Sequence, residues 1–325
     1  VLLMALFILA VDYVFMALAS EFWVLLIGRI LAGIAGATYT TATAYIADIS
    51  SPEKRAARFG MVGAAFGIGF VLGPAIGGIA AELHITAPFW IAAVLSAANV
   101  LFGLFVLPES LEPKKRRPFW FRDINPFTAI IGAFKTPGLA IPLICLFVFE
   151  FANMVYPVLW AFFTRELFDW SSFTIGISLA GYGILLAGVQ GGLMPVFINR
   201  VGEFRTLQIG ILSALIGFIG FGLISTVTGL ILVLIFAALS DLSPPMITAM
   251  AANKVDEDKQ GLVQGVIASL ASIAAFLAPL IMTGVFEVFV DKDGIYLPGA
   301  PFLISGLLIA LLIPLVWRLR SHAQS

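Results

Sequence analysis

The sequence predicts an all-α membrane protein, and its composition and its long apolar runs are the observations that predict it. Of the 325 residues, 61% are hydrophobic and only 11% are charged, whereas a soluble domain carries about 25% charged residues. A chain this apolar cannot cover its hydrophobic surface with polar residues, so lipid must be its main solvent. With one cysteine, Cys145, and two histidines, we expect no disulfide framework, no metal site and no cofactor.

Ten apolar runs are long enough to span a membrane, since a spanning helix needs about 20 apolar residues. They cover residues 1–19, 22–47, 57–82, 87–107, 139–164, 172–198, 206–224, 229–252, 261–286 and 300–317. The links are short except for 108–138, which is rich in Lys and Arg. No cleavable signal peptide is visible, because Val1 opens directly on an apolar run.

The basic residues predict the orientation of the spans. If the N-terminus faces the cytoplasm, so do the loops at 48–58, 108–138, 199–205 and 253–260 and the tail after 317. These segments hold fifteen of the eighteen Lys and Arg residues. Because cytoplasmic loops carry the excess of positive charge, we expect a multi-pass protein of the inner (cytoplasmic) membrane, with both ends of this chain in the cytoplasm.

An internal repeat relates the two halves at an offset of about 205 residues. The offset pairs Asp48 with Asn253, Glu53 with Asp258, Lys54 with Lys259, Gly60 with Gly265, and Pro74 with Pro279. Parallel repeats of six helices describe one large transporter class. The spans 139–164 and 172–198 have no counterpart in the first half, so we expect a twelve-span parent whose first two helices are absent here. A genuine ten-helix protein is the alternative.

This interpretation divides the chain into three parts. Residues 1–107 would form an incomplete N-terminal bundle of four helices. Residues 108–138 would be a basic cytoplasmic linker, and residues 139–325 would form a C-terminal bundle of six helices.

The third span contains a glycine-proline run whose defined positions are Gly69, Gly73, Pro74, Gly77 and Gly78. Small residues four apart let helices approach closely, and the proline kinks the helix. Ordinary tight packing explains such residues singly, but the complete run is much rarer. At every defined position it resembles the fifth-helix antiporter motif of the drug/proton antiporters in the major facilitator superfamily. The resemblance implies the major facilitator fold, with ten of its twelve helices present.

The resemblance runs along essentially the whole chain and is greatest to the tetracycline-efflux branch. The matching segments are Val11-Asp12-Tyr13, Ile27-Gly28-Arg29-Ile30, Ala44-Tyr45-Ile46-Ala47-Asp48-Ile49, Leu107-Pro108-Glu109-Ser110 and Val255-Asp256-Glu257. One departure concerns the cargo. The tetracycline pumps share an acidic residue in their ninth helix, whereas Gly210 to Gly217 holds no acid and Ala214 falls at about that place. Antiport is therefore implied more strongly than tetracycline as substrate.

Two charged residues in the first half are candidates for proton coupling. A charge at mid-helix costs about 2.5–3.5 kcal/mol on insertion scales, so such residues usually face the bundle interior. Asp12 lies near the middle of the first span and could bind and release a proton. Arg29 lies inside the second and could hold a carboxylate ionised. The alternatives are a structural hydrogen bond for Asp12 and a snorkelling arginine for Arg29.

Two spans of the second half carry further acidic residues, Glu150 and Asp241. Glu150, Asn153 and Trp160 fall along one helical face with Tyr156 close by, a pattern that suits a bulky cationic or polyaromatic substrate. The alternative is one buried polar pair amid aromatic packing. Asp241 stands before Pro244 and Pro245, which predict a broken helix; it could be a proton or cation site, or could cap the break.

The remaining candidates are polar residues of a cavity and charged residues of a cytoplasmic gate. Tyr182 and Gln190 are the cavity candidates that could contact substrate. By resemblance, Asp48 would bias the inward-closed state. Arg55 lies near it in the same loop, and Arg200 and Arg205 stand in a second, weaker copy of a family loop. We assign all four to the gate.

The function that follows is proton-coupled efflux of a small amphipathic compound or drug by alternating access. The alternatives are an importer or facilitator on the same fold, which would generally lack the antiporter motif, and an inactive truncated gene product. No filter-like loop indicates a channel. No phosphate-binding loop indicates an enzyme or a nucleotide-driven pump. The expected partners are the substrate, protons and the bilayer, with no nucleic acid, and we expect a monomer.

Overall fold

A computed structural model describes residues 2–34, 41–42, 45–46, 49, 52–107, 126–255, 260–291 and 294–322. Every regular element within these residues is helical. The chain divides into two compact units. Unit 1 comprises Val1–Phe119 and Ser172–Gly181, and unit 2 comprises Trp120–Ser171 and Tyr182–Ser325. The prediction of an all-α membrane protein is therefore confirmed, and the segment 172–181 groups with the first half of the chain.

The helices of unit 1 pack as a small bundle in which α1 contacts both α2 and α4, and α3 contacts α4. Their bounds are α1 Leu2–Leu18, α2 Phe22–Ile34, α3 Pro52–Leu83 and α4 Ala87–Val106. The first part of α8, Ser172–Gly188, completes the unit.

Unit 2 holds the other helices. They are α5 Pro126–Lys135, α6 Ala140–Asn153, α7 Val155–Phe168, the rest of α8, α9 Met194–Val201, α10 Glu203–Leu223, α11 Val227–Ser240, α12 Ser243–Ala252, α13 Gln260–Val290 and α14 Ala300–His322. Its centre is aromatic. Tyr156 lies among Phe218, Phe221 and Phe302, with ring centroids 5.3 to 5.6 Å apart, spacings typical of stabilising aromatic pairs.

All ten apolar runs of the sequence contain helix. Among the described residues, seven helical stretches are long and apolar enough to cross a membrane, and shorter apolar stretches cover Leu2–Leu18, Phe22–Gly33 and, within α3, Gly67–Leu83. Each overlaps one of the ten predicted runs. The offset of 205 residues also recurs, since shifting Phe22–Ile34 by that amount gives a helix beginning at residue 227, where α11 begins.

Within the predicted linker 108–138, the described residues 126–138 are more ordered than a linker would be. Its residues 126–135 form α5, which packs against α13. Ala133 and Leu139 join Leu143, Val263 and Val266 in one apolar cluster. Lys and Arg dominate the first part of this segment, which is why the sequence alone predicted a linker. The apolar residues of its last part are too few for a span but enough to cover one face of a helix.

Prolines interrupt three of the spans. Pro157 follows the break between α6 and α7, and Pro195 follows a π-helical turn, Val189–Leu193, between α8 and α9. Pro244 and Pro245 open α12 after the turn at Asp241. A proline has no N–H to give the carbonyl four residues earlier, so the α-helical hydrogen-bond pattern cannot continue unchanged through these positions. The predicted break at Asp241 is confirmed.

Candidate functional site

Asp12 and Arg29 form an ion pair inside unit 1. Asp12 is only 1% exposed, and the Nη2 of Arg29 donates to its Oδ2 at 2.6 Å. A buried carboxylate loses its hydration and needs a partner of opposite charge to compensate. The two residues predicted as proton-coupling groups therefore lie in direct contact, with α1 supplying the acid and α2 the base; their role stays a prediction.

Gly28 makes room for this pair. A Cβ added at Gly28 would lie 2.7 Å from the Oδ1 of Asp12, so a larger residue there would displace the carboxylate. That same Oδ1 has no hydrogen-bond partner among the described residues. The sequence showed Gly28 only as a neighbour of Arg29 in a family segment, and nothing in the pattern marked it as part of the site.

A second polar cluster forms around Asp241 in unit 2. The hydroxyl of Tyr182 donates to the Oδ2 of Asp241 at 2.7 Å, and the Asn153 side chain also hydrogen-bonds to this carboxylate. Glu150 lies near enough for the two carboxylates to interact electrostatically. Three separate spans thus bring four of the predicted residues together. Asp241 ends α11, but the hydrogen bonds recorded for its side chain go to other helices, not to the broken segment.

Several polar atoms at this cluster have no hydrogen-bond partner among the described residues. They are the Oδ1 of Asn153, the hydroxyl of Tyr156 and the Oγ of Ser243. Because most buried polar groups in proteins are hydrogen-bonded, these atoms are available to a ligand or to water. Sequence reasoning passed over Ser243, which faces Gly210 so closely that a Cβ there would collide with the serine hydroxyl.

The aromatic members of the predicted substrate stripe are packed rather than open. Trp160 is 4% exposed and lies edge-on to Phe221 at 5.8 Å. Tyr156 stacks on Phe218 in the aromatic centre. Gln190 lies in the π-helical turn and is exposed. The stripe is thus divided between the Asp241 cluster and the hydrophobic core, and substrate contact by Trp160 or Gln190 stays a prediction.

The antiporter motif places one of its glycines against α8. A Cβ at Gly78 would lie 2.8 Å from the carbonyl oxygen of Ser172 and 3.0 Å from the Cα of Gly176, whereas nothing lies within 4 Å of a Cβ added at Gly69, Gly73 or Gly77. Sequence reasoning missed Gly176, although Ser172, Gly176 and Ala180 follow the same four-residue spacing.

A carboxylate reinforces this contact between α3 and α8. The backbone N–H of Phe173 donates to the Oε1 of Glu82 at 2.9 Å. A negative charge at a helix N-terminus complements the free N–H groups and the helix dipole there. Glu82 of α3 therefore caps the start of α8.

The gate residues are only partly described. Asp48 and the side chain of Arg55 lie outside the described residues. Arg200 is in the last turn of α9 and Arg205 in the first turn of α10, and both are exposed. Gly202 separates them with a φ of +85°, and its N–H bonds to the Ile198 carbonyl at 3.0 Å. Such a φ favours glycine.

Comparisons with known proteins agree with this geometry. The family model described as Major Facilitator Superfamily matches residues 1–279. A class C tetracycline resistance protein of Escherichia coli is 36% identical over 286 residues, covering 88% of this chain and 72% of that protein. Multidrug resistance protein 2 of Bacillus subtilis is 25% identical over 98% of this chain and 78% of its own.

Solved structures share the fold. The nucleoside transporter NupG superposes with a TM-score of 0.78 at 15% identity, covering 98% of this chain and 82% of that one. The human organic anion transporter TETRAN superposes with a TM-score of 0.69 at 24% identity, covering 97% and 76%.

Proposed function

Because this chain belongs to the major facilitator superfamily, we propose that it exports a small amphipathic compound or drug in exchange for protons by alternating access. The observation that carries the proposal is the ion pair, within two apolar helices, between the buried carboxylate of Asp12 and the half-exposed guanidinium of Arg29. The tetracycline resistance proteins among its relatives support efflux as the direction.

The Asp12–Arg29 pair suits a proton-coupling step. The arginine compensates part of the cost of burying the Asp12 carboxylate, and loss of such a partner without replacement costs several kcal/mol. Proton uptake by Asp12 would remove that cost and release Arg29. The charge of Asp12 and the position of Arg29 are then linked, as coupled transport requires.

The Asp241 cluster suits the binding of substrate during the transport cycle. Glu150 and Asp241 are like charges in the interior of unit 2, and a proton or a cationic group of a substrate would relieve their repulsion. The free acceptors of Asn153 and Tyr156 could hold donors of the same substrate. We propose this cluster as the binding site, and Asp12 with Arg29 as the coupling site.

Everted membrane vesicles test the coupling. Respiration acidifies the lumen of such vesicles, and addition of an exported compound to a proton antiporter lets protons out. Tetracycline and a lipophilic cation such as ethidium are suitable first compounds. We expect Asp12→Asn to abolish this proton release, because the asparagine cannot bind a proton.

Asp169→Asn is the matched control. Asp169 ends α7 in the left-handed region at φ 52°, which asparagine tolerates well, and it is exposed outside both clusters. This variant should release protons like the parent. Unchanged proton release in Asp12→Asn would overturn the coupling role.

A further inference from the structure

A cavity of about 360 Å³ lies at one end of unit 2, and no residue of the Asp241 cluster lines it. Its walls come from the beginning of α10 and the end of α14, which pack against each other. The volume is within the range of about 300–1,000 Å³ typical of sites for small organic molecules. The proposed transport function leaves this cavity unassigned.

The cavity opens on a face that meets lipid. From Leu212, which lines it and is 52% exposed, an apolar stripe continues along α10 through Ile216, Ile219 and Leu223, all exposed. On α14, Leu307 and Leu311 are also exposed and extend the apolar surface. Exposed apolar side chains in a row along two spanning helices are expected against acyl chains, not water. A molecule entering the cavity therefore comes from the bilayer.

One arginine and one glutamine are the polar side chains among the residues that line the cavity. Arg205 and Gln208 stand one helical turn apart on α10, and Trp317 faces them from α14. Within the described part of the chain, the Arg205 guanidinium forms no ion pair. Arginine matches the geometry of phosphate with its fork of donors. Tryptophan is enriched at the level of lipid headgroups, where its apolar ring and its N–H both find partners.

We infer that this cavity binds one anionic phospholipid. Arg205 and Gln208 hold the phosphate, and an acyl chain lies along Leu212, Ile313 and Val316. The net charge of the lipid is part of the inference, because a basic side chain without a carboxylate partner favours an anionic headgroup over a zwitterionic one. The lipid phosphate is then a partner for Arg205 in the membrane, and this contact is separate from any role of Arg205 in a gate.

Trp317 supplies the measurement. The chain is reconstituted in phosphatidylcholine bilayers with increasing fractions of dibrominated phosphatidylglycerol or dibrominated phosphatidylcholine, whose bromines quench nearby tryptophans. The signal of Trp317 is the difference between the parent and Trp317→Phe. We expect half-maximal quenching of that difference at roughly fivefold less phosphatidylglycerol than phosphatidylcholine, the effect of one basic residue near the surface.

Three variants make the test specific. Arg205→Gln should remove the preference for phosphatidylglycerol, whereas Arg200→Gln, an arginine of α9 that does not line the cavity, should keep it. Leu212→Phe changes an exposed position of the apolar wall and leaves the packing of the core unchanged. It should weaken quenching by both lipids, while the preference for phosphatidylglycerol over phosphatidylcholine persists.

Three outcomes would overturn the inference. The first is equal quenching by the two lipids in the parent, and the second is a preference that survives Arg205→Gln. The third is complete relief of phosphatidylglycerol quenching by millimolar inorganic phosphate, because a site that recognises phosphate alone makes no use of the apolar wall.

Discussion

Asp12 owes its position to two neighbours on the next helix. Arg29 supplies the opposite charge, and Gly28 supplies the space beside the carboxylate. The sequence predicted the two charged residues, because a charge inside an apolar run is conspicuous. It could not predict Gly28, since only the packing of α1 on α2 shows which of 31 glycines lies against a functional oxygen.

Gly28→Ala tests that space. The added Cβ would lie 2.7 Å from the Oδ1 of Asp12, so we expect loss of proton-coupled export and a destabilisation of about 1–3 kcal/mol, typical of overpacking. Gly33→Ala is the control on the same helix, because nothing lies within 4 Å of its added Cβ. Thermal unfolding in detergent and proton release in vesicles measure the two effects; equal behaviour of both variants would contradict the role of Gly28.

The hydrogen bonds of Asp241 should be energetically coupled. Tyr182→Phe removes one donor and Asn153→Ala the other. Side-chain hydrogen bonds in membrane proteins contribute about 0.6 kcal/mol on average, so each variant alone should unfold only slightly earlier. The double variant should deviate from additivity by about 0.5 kcal/mol or more, because both residues share one carboxylate.

Two substitutions whose effects on the free energy of unfolding should be additive provide the control for this double-mutant comparison. Ser305 donates to the carbonyl of Ala152 at 3.0 Å, and among the described residues no hydrogen bond joins its side chain to Asp241. Tyr182→Phe combined with Ser305→Ala should therefore be additive. If the Tyr182 and Asn153 variants were equally additive, the three residues would not act as one cluster.

Among the elements, α3 and α8 show how a sequence motif becomes a contact. Gly78 and the backbone carbonyl of Pro74 are the parts of the motif that lie close to α8, and their counterpart Gly176 has no place in the motif. Periodicity predicted α3 as a tightly packed helix but not its partner, because a four-residue spacing of small residues occurs on many helices. The break at Asp241 was predictable from two consecutive prolines without N–H groups, whereas the single prolines Pro74, Pro279 and Pro314 lie inside continuous helices.

Gly176→Leu tests the contact of α3 with α8. A Cβ at this position would lie 2.9 Å from the Cα of Gly78, and backbone cannot give way as a side chain does. We expect the two helices to separate and export to fall at least tenfold. Gly181→Leu, five residues further along α8 with nothing within 4 Å, should retain most activity. Growth of cells on an exported drug, at matched protein levels in the membrane, measures both.

At the scale of the whole molecule, composition was sufficient for the class of protein and spacing for most of its helices. Lipid as solvent requires the apolar runs, and backbone hydrogen bonding in lipid requires that they be helices. The joining of Asn153, Tyr182 and Asp241 was beyond the sequence, because it depends on which faces of three distant spans meet. The helix α5 was missed because the charged residues around it in the sequence outnumber its own apolar residues.

The hydrogen bonds of Asp241 have one more consequence. Its carboxylate has donors on α6 and α8 and is itself attached where α11 gives way to α12. A slide of any one of these helices by a single turn, about 5.4 Å, would exceed the reach of a hydrogen bond. The carboxylate stretching bands of Asp241, isolated as the infrared difference between the aspartate-labelled parent and Asp241→Asn, would then report the register of three helices at once.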